Sequence, residues 1–143
     1  MEKVSIVYWS QTGNTEAMAK MIAKGVEEAG AKAELIQVSD ANADELLKLP
    51  GFAIGCPAMG AEELEDAEVE PFVASIEGKV SGKSLLLFGS YDWGDGEWMR
   101  IWQDRMTAKG ASLVTGEGVI ANNSPDAEAE AKLKAAGAEL AKL

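Results

Sequence analysis

Short apolar runs alternate with amphipathic patterns along the whole chain. Residues 85–88 are continuously apolar, which is typical of a strand that is covered on both faces. Similar runs predict further strands at residues 4–8, 33–38, 52–55 and, as a split segment, 113–120. No repeat or linker interrupts the alternation, so we expect residues 1–143 to form a single domain.

Three stretches between these strands carry apolar residues three or four positions apart, which predicts amphipathic helices. The stripes are Met18, Met21, Ile22 and Val26; Trp98, Ile101, Trp102 and Met106; and Leu133, Ala136, Gly137 and Leu140. Gly30 and Gly110 suit helix ends, and Pro125 suits the first turn of the last helix. Alternating strands and helices imply an α/β fold, a doubly wound parallel sheet with helices on both faces. Ligands of such sheets bind outside the carboxyl ends of the strands.

Composition excludes several kinds of chemistry. The 143 residues include no histidine and one cysteine, and 24 acidic residues against 13 basic ones give a net charge of −11. These counts exclude a histidine base, a catalytic triad and multi-cysteine metal sites, so we predict no catalytic side chain and no metal. The acidic balance predicts no binding to nucleic acid or membranes and favours basic partners. No signal peptide or long apolar run is found, so we expect a cytoplasmic protein.

The loop after the first predicted strand is rich in hydrogen-bond donors and carries no charge. It consists of Ser10, Gln11, Thr12, Gly13, Asn14 and Thr15. Its hydroxyls, and free N–H groups at the start of a helix, could bind a phosphate. The same residue types also cap helices without any ligand, so both interpretations stay open for this loop alone. It lacks the lysine of an NTP-binding P-loop and the glycines of the G-x-G-x-x-G fingerprint.

The loops after the third and fourth strands are apolar and aromatic. The third runs from Cys56 to Glu62 and presents Met59, which could lie against an aromatic ligand or, like most methionines, in the core. The fourth contains Trp93, and a loop tryptophan packs either on the protein itself or on a ligand. Together the three loops predict a site for a phosphorylated planar ring.

These motifs in combination resemble the short-chain flavodoxins of anaerobic bacteria. The residues that carry the resemblance are YWSQTGNTE at 8–16, GCPAMG at 55–60 and FGSYDWG at 88–94. It extends along essentially the whole chain, and segment 113–120 is too short for the insertion of long-chain members. The resemblance implies a five-stranded parallel sheet of order 2-1-3-4-5 and one non-covalently bound FMN.

The resemblance also implies a role for each loop. The first loop would bind the phosphate through side chains and through the amides of Gln11 and Gly13, and the ring would lie between Met59 and Trp93. The Gly60–Ala61 peptide would turn so that the Gly60 carbonyl accepts the N5 proton of the semiquinone, while Glu62 would accept a hydrogen bond from N3–H. The implied cofactor-binding residues are Ser10, Gln11, Thr12, Gly13, Asn14, Thr15, Pro57, Ala58, Met59, Gly60, Ala61, Glu62, Ser90, Tyr91, Asp92, Trp93, Gly94 and Asp95.

This sequence departs from the family pattern at two positions beside the ring. Asp92 stands where similar sequences often have glycine, and Ala61 stands where many have a polar or charged residue. Asn122 and Asn123 are further candidates for contacts with the ribityl chain.

The implied function is that of a low-potential one-electron carrier, not an enzyme, which uses the semiquinone/hydroquinone couple of FMN. One negative charge ~10 Å from the reduced ring costs about 1.7 kcal/mol at an effective dielectric of ~20, which lowers a one-electron potential by roughly 70 mV. The acids concentrated in residues 62–70 form either a solvated face or a negatively charged rim that attracts basic redox partner proteins. They are Glu62, Glu63, Glu65, Asp66, Glu68 and Glu70. We expect the protein itself to be a monomer.

Related functions on the same topology are excluded or stay open. A response regulator needs acidic residues after the first and third strands, where this chain has Trp9-Ser10 and Gly55-Cys56. A small phosphatase needs an arginine in the loop after its cysteine, and none follows Cys56, which we expect to be a small buried hydrophobe. A small FMN-dependent reductase and a dedicated maturation partner of another enzyme stay open as alternatives.

Overall fold

Strands and helices alternate along the chain in the computed structural model, which describes all residues from Met1 to Leu143. The strands are β1 (Lys3–Tyr8), β2 (Lys32–Gln37), β3 (Gly51–Gly55), β4 (Ser84–Tyr91), β5 (Ser112–Leu113) and β6 (Val119–Asn122). The helices are α1 (Asn14–Glu28), α2 (Ala43–Leu46), α3 (Val69–Ile76), α4 (Glu97–Ala108) and α5 (Ala127–Ala141). None of these helices is both long enough and apolar enough to cross a membrane.

All strands run parallel in one sheet whose order is β2-β1-β3-β4, followed by β5 and β6, which both pair with β4. The predicted order 2-1-3-4-5 is confirmed. The sheet has one strand more than the predicted five, because segment 113–120, which was predicted to be split, forms the two short strands β5 and β6 at the fifth position. The chain turns between them at Gly116, whose φ is +81° and whose N–H donates to the Leu113 carbonyl at 3.0 Å.

Each face of the sheet has its own apolar core, as a doubly wound sheet requires. On one face α1 and α5 pack over residues that include Ile6, Leu86 and Phe88. On the other face α3 and α4 cover a core that includes Phe52 and Leu87. β1, β3 and β4 are therefore buried on both sides, which explains their continuously apolar sequences.

Several predicted element boundaries differ from the structure. α2 and α3 were not predicted, and Val38, predicted at the end of a strand, begins a 3-10 turn. Pro125 precedes the N-cap Asp126, whose carboxylate accepts the Ala129 N–H at 2.8 Å, so the proline lies before the helix rather than in its first turn. Helices did end just before Gly30 and Gly110, whose φ values of +90° and +94° confirm both predicted stops.

The predicted buried stripe of α4 is wrong at one position. Ile101 is 56% exposed, whereas Met99 is buried together with Trp98, Trp102 and Met106. The spacing of apolar residues predicts that one side of the helix is buried, but not which residues lie at the edges of that side. The rotation of α4 about its axis is set by its two tryptophans, which fill the core beneath β3 and β4.

An ion-pair network holds α4 beside α3. Arg105 Nη1 lies 2.7 Å from Glu70 Oε2, and Arg105 Nε lies 2.6 Å from Glu77 Oε2. Hydrogen bonding to Arg105 lowers the pKa of Glu77, and the hydrogen bonds to Glu77 and Glu70 raise the pKa of the guanidinium. The network anchors the carboxyl-terminal half of α4, whose first turn lies at the site described below.

Glycines allow α1 and α5 to touch along their backbones. A Cβ at Gly137 would collide with the Ile22 carbonyl oxygen, and a Cβ at Gly25 would collide with the Lys134 carbonyl oxygen. The two helices therefore approach more closely than side chains would permit, and this contact closes one face of the sheet.

We expect Gly137→Ala to lower the free energy of unfolding by about 1–3 kcal/mol, because overpacking outweighs the better helix propensity of alanine. Gly78→Ala is the matched control, since a Cβ there meets nothing within 4 Å. Urea denaturation of both variants without added ligand measures both changes. Equal stability of the two variants would contradict the close α1–α5 contact.

Candidate functional site

Three loops meet at one edge of the sheet, because β1, β3 and β4 are parallel neighbours. The Trp9 N–H donates to the Gly55 carbonyl at 3.0 Å, and the Ala58 N–H donates to the Ser90 carbonyl at 2.9 Å. The Thr15 and Ser90 hydroxyl oxygens lie 3.0 Å apart, with both residues buried. The structure therefore brings together the three loops in which the sequence predicts a ligand site.

The first loop forms a cradle of backbone donors. The Ser10 hydroxyl oxygen accepts the N–H groups of Gly13 at 3.1 Å and Glu16 at 3.3 Å, which curls the loop around the start of α1. Gly13 has a φ of +96°, a conformation that favours glycine. The N–H groups of Gln11 and Thr12 have no protein acceptor, and those of Asn14 and Thr15 belong to the unpaired first turn of α1. Such a cradle suits a phosphate.

The loop after β3 contains a tight turn, which two hydrogen bonds between its own backbone groups close. The Met59 N–H donates to the Glu63 carbonyl at 2.8 Å, and the Glu63 N–H donates back to Met59 at 2.9 Å. Between them Gly60 and Glu62 have φ values of +52° and +59°. Gly60 and Ala61 are exposed, and nothing lies within 4 Å of where a Gly60 Cβ would be, so no packed side chain restrains the tip of this turn while its two ends are paired.

The Glu62 carboxylate has one oxygen that accepts a hydrogen bond from the protein and one that accepts none. Its Oε2 accepts the Trp98 N–H at the start of α4 at 2.9 Å. Its Oε1 is buried and has no hydrogen-bond partner, which is costly for a carboxylate oxygen. Gly94 lies beside that oxygen, because a Cβ at Gly94 would collide with it. The site therefore presents an unused acceptor where a ring N–H could donate.

The loop after β4 exposes a large aromatic side chain. Trp93 is 64% exposed, so the alternative that it folds back onto the protein is wrong. Tyr91, predicted in the loop, lies at the end of β4, with its ring centroid 5.8 Å from that of Trp98. Ser90 also belongs to β4 rather than to the loop. Met59 is half-buried on the loop after β3.

The remaining predicted residues differ in how they are placed. Pro57 and Ala58 are half-buried between β3 and the turn, and Asp92 is exposed beside Trp93. Asp95 is exposed and forms an ion pair with Arg100 at 3.0 Å, so its carboxylate is already matched by a positive charge.

Asn122 has a structural role that the sequence did not reveal. Its Nδ2 donates to the carbonyl oxygens of Asp92 at 3.1 Å and Tyr91 at 3.4 Å, and the Asn123 N–H donates to Tyr91 at 2.7 Å. The end of β6 therefore supports the loop that carries Trp93. The only signal for this role in the sequence is the position of Asn122 just after the last predicted strand.

Cys56 and Trp98 form the buried floor of the site. The Trp98 indole Nε1 donates to the Cys56 carbonyl at 3.2 Å. Burial raises the pKa of the Cys56 thiol to about 12, so the folded protein holds it protonated. The prediction of a small buried hydrophobe is confirmed.

One residue of the acidic run is not part of a charged surface. Glu65 is 4% exposed, and its Oε1 accepts the N–H groups of Ala67 and Glu68, each at 2.6 Å. The sequence could not separate it from its exposed neighbours, because all of them are acidic and no helical stripe covers this loop.

The donor cradle, the unused Glu62 oxygen and the apolar side chains of Met59 and Trp93 on the two neighbouring loops fit an FMN molecule. They supply amide donors for a phosphate, an acceptor for a ring N–H and apolar contacts for a planar ring. No group of three or more His, Cys, Asp or Glu side chains is placed to hold a metal ion.

Comparison with known proteins identifies the family. The flavodoxin family model matches residues 6–137. A flavodoxin of Clostridium beijerinckii is 50% identical over 125 residues, which cover 87% of this chain and 91% of that protein. A flavodoxin of Megasphaera elsdenii is 48% identical over 129 residues, which cover 90% of this chain and 93% of that protein.

The solved structures agree. The solution structure of two-electron reduced Megasphaera elsdenii flavodoxin superposes with a TM-score of 0.89 at 46% identity, covering 98% of this chain and 99% of that one. The resemblance, the FMN cofactor and the assignment as an electron carrier rather than an enzyme are confirmed by these matches. The chain belongs to the flavodoxin family, whose members bind FMN and transfer electrons with other redox proteins.

Proposed function

We propose that the three loops hold FMN with its phosphate in the first loop, its ring between Met59 and Trp93, and a ring N–H on Glu62. The observation that carries this assignment is the buried Oε1 of Glu62, which lacks a partner beside Gly94. FMN supplies the redox chemistry by accepting and releasing single electrons. The residues of this chain bind it, orient it and set its potential.

The phosphate is bound by neutral groups. The first loop offers amide and hydroxyl donors at the positive end of the α1 dipole and contains no lysine or arginine. Nearby cations are already paired: Lys20 lies 3.9 Å from Glu16, and Arg100 lies 3.0 Å from Asp95. The phosphate therefore keeps most of its charge, which disfavours a reduced, anionic ring and supports a low potential.

Thr12→Ala tests the phosphate site, because the Thr12 side chain is exposed and makes no hydrogen bond to the protein. We expect FMN affinity to fall about tenfold or more, since a hydrogen bond to a charged group contributes about 1.5–3 kcal/mol. Fluorescence titration of FMN with the FMN-free protein measures this. Thr107→Ala, an exposed threonine at the far end of α4, is the control. Unchanged affinity in Thr12→Ala would count against the phosphate assignment.

The Gly60–Glu62 turn is the movable part of the ring site. Gly60 has a φ of +52°, and nothing lies within 4 Å of where its Cβ would be. We infer that the Gly60–Ala61 peptide reorients so that the Gly60 carbonyl oxygen accepts a hydrogen bond from the ring when the first electron is taken up. A glycine permits this rotation because no Cβ opposes it.

Gly60→Val is expected to lower the first one-electron potential and to bring the two potentials closer together. A positive φ costs a β-branched residue about 1–2 kcal/mol, roughly 40–90 mV for a one-electron couple. Stepwise anaerobic reduction followed by visible spectroscopy gives both potentials. Gly116→Val, at a φ of +81° in equally open space on the β5–β6 turn, is the control. If both variants keep the potentials of the parent protein, the turn does not tune the cofactor.

The exposed acids beside the site favour a basic redox partner. Glu63, Asp66 and Glu68 are exposed next to the turn, and Asp92 is exposed next to Trp93. Their summed field raises the rate of encounter with a positively charged protein and is screened by salt. We also propose that residues 1–143 act as one domain and as a monomer. A cytoplasmic location is in keeping with a single cysteine that is free and buried.

The double variant Glu63→Gln/Asp66→Asn should slow electron transfer to a basic cytochrome c several-fold at low ionic strength and flatten its salt dependence. Glu27→Gln/Glu28→Gln removes the same charge at the opposite end of α1 and is expected to keep the parent rate and slope. Stopped-flow oxidation across a salt series measures both. Equal effects of the two double variants would show that only net charge matters and that the acids do not form a docking rim.

A further inference from the structure

The Gly60–Glu62 turn is called the redox turn below. A buried carboxylate lies at the base of the redox turn without reaching the cofactor site itself. Glu65 is the one member of the acidic run that is buried, at 4% exposed. Its carboxylate accepts the Ala67 N–H at 2.6 Å through Oε1, and the Glu68 N–H at 2.6 Å through Oε1 and 3.1 Å through Oε2. Hydrogen bonds to an ionised acceptor are among the strongest that a protein forms, so this carboxylate fixes the chain that enters α3.

The backbone of Glu65 closes the loop against the end of β3. Its N–H donates to Cys56 Sγ at 3.4 Å, which joins the two ends of the segment that contains Gly60. The Cys56 carbonyl accepts the Trp98 indole N–H at 3.2 Å, and the Trp98 backbone N–H donates to Glu62 Oε2 at 2.9 Å. A continuous path of hydrogen bonds therefore runs from Glu65 through Cys56 and Trp98 back to the turn.

This path divides the loop into a fixed base and a free tip. The Met59–Glu63 pair closes the upper end of the base through two backbone hydrogen bonds of 2.8 and 2.9 Å. Gly60 and Ala61 lie beyond that pair and are exposed. A change in the turn can thus be confined to one peptide, since the residues on either side are held.

We propose that Glu65 is a positioning residue that anchors the base of the Gly60 turn and thereby sets the gap between the two one-electron potentials. The inference rests on the proposed reorientation of the Gly60–Ala61 peptide. An anchored base means that few dihedral angles must be ordered when the turn presents its carbonyl oxygen, so the cost in conformational entropy is small. A loosened base raises that cost and weakens the hydrogen bond that the turn makes in the half-reduced state of the protein.

Two conservative variants separate position from charge. Glu65→Asp keeps the negative charge but shortens the side chain by one methylene, so its carboxylate reaches the Ala67 and Glu68 N–H groups only if the backbone at the base of the loop shifts. Glu65→Gln removes the charge but keeps an acceptor oxygen at the same reach. Asp66→Asn is the matched charge control, because Asp66 is the exposed neighbour on the same loop.

The first measurement is reductive titration of the three FMN-loaded variants. We expect Glu65→Asp to narrow the gap between the two potentials by a factor of about ten in the corresponding equilibrium constant, which is about 60 mV. Glu65→Gln is expected to change the gap only as much as Asp66→Asn does, because each removes one negative charge from the surroundings of the reduced, anionic ring. A Glu65→Asp gap equal to that of the parent, or a gap that narrows only in Glu65→Gln, would overturn the proposal.

The second measurement needs no cofactor. The Cys56 thiol lies under the loop, and burial raises its pKa to about 12, so a neutral disulfide such as dithiodipyridine reaches it only when the base opens. We expect FMN-free Glu65→Asp to react at least ~10-fold faster than Glu65→Gln and Asp66→Asn. Urea denaturation confirms that each variant is folded. Equal rates of thiol modification in all three variants would contradict the proposal that Glu65 anchors the base of the loop.

The two measurements together distinguish this inference from the function on which it rests. If Gly60→Val leaves the potentials unchanged while Glu65→Asp exposes Cys56, the anchor exists but the turn has no redox role, and the proposal fails. If Gly60→Val narrows the gap and Glu65→Asp changes neither the gap nor the thiol rate, the turn tunes the cofactor without Glu65, and only the present inference fails.

Discussion

Two hydrogen bonds from Trp98 hold the loop after β3 against the loop after β4, and the geometry of the site depends on them. The indole N–H donates to Cys56, where β3 ends, and the backbone N–H donates to Glu62, on the redox turn. The tryptophan can do this because it is fully buried in the core beneath the sheet. Its position is set in turn by α4, which Arg105 ties to α3. The loops after β3 and β4 are thus held in place by hydrogen bonds to the sheet and to α4.

The absence of positive charge in the cradle has consequences for the whole molecule. A phosphate bound by amides and hydroxyls stays negative, and the acids near the ring add to that field. Such a site makes a reduced ring costly, which suits a strongly reducing carrier, and under the proposed function the same acids steer basic redox partners to the site. The lack of histidine is consistent with this design, because the cofactor supplies the chemistry and no side chain has to act as an acid or base.

The strands buried on both faces, the helix stops at Gly30 and Gly110 and the three loops of the site could be predicted because each leaves a local pattern, whereas the sheet order was predicted from the resemblance to flavodoxins. A strand buried on both faces is continuously apolar, and a phosphate-binding loop at a helix start is rich in small polar residues. Other features leave no such pattern. The exposure of Ile101 follows from how two tryptophans rotate α4, and the burial of Glu65 follows from backbone groups that only the folded loop presents to it. The split of the last strand agrees with the prediction for segment 113–120, and the chain turns at Gly116 between its two halves.

The redox turn shows how the molecule stabilises a conformation that is unfavourable in isolation. Glu62 has a φ of +59°, which costs a residue other than glycine about 1–2 kcal/mol. One hydrogen bond from Trp98 and the Met59–Glu63 pair together offset a cost of that size, since each contributes about 1 kcal/mol. The conformational cost and the gain from the hydrogen bonds are therefore similar in size. The burial of the unpartnered Glu62 oxygen adds a further cost, which destabilises the turn when no ligand is bound. A ligand that donates to this oxygen removes the penalty, so binding of the ring and ordering of the turn stabilise each other. The base of the loop must hold through this exchange, and Glu65 supplies that support from a position where it is shielded from solvent.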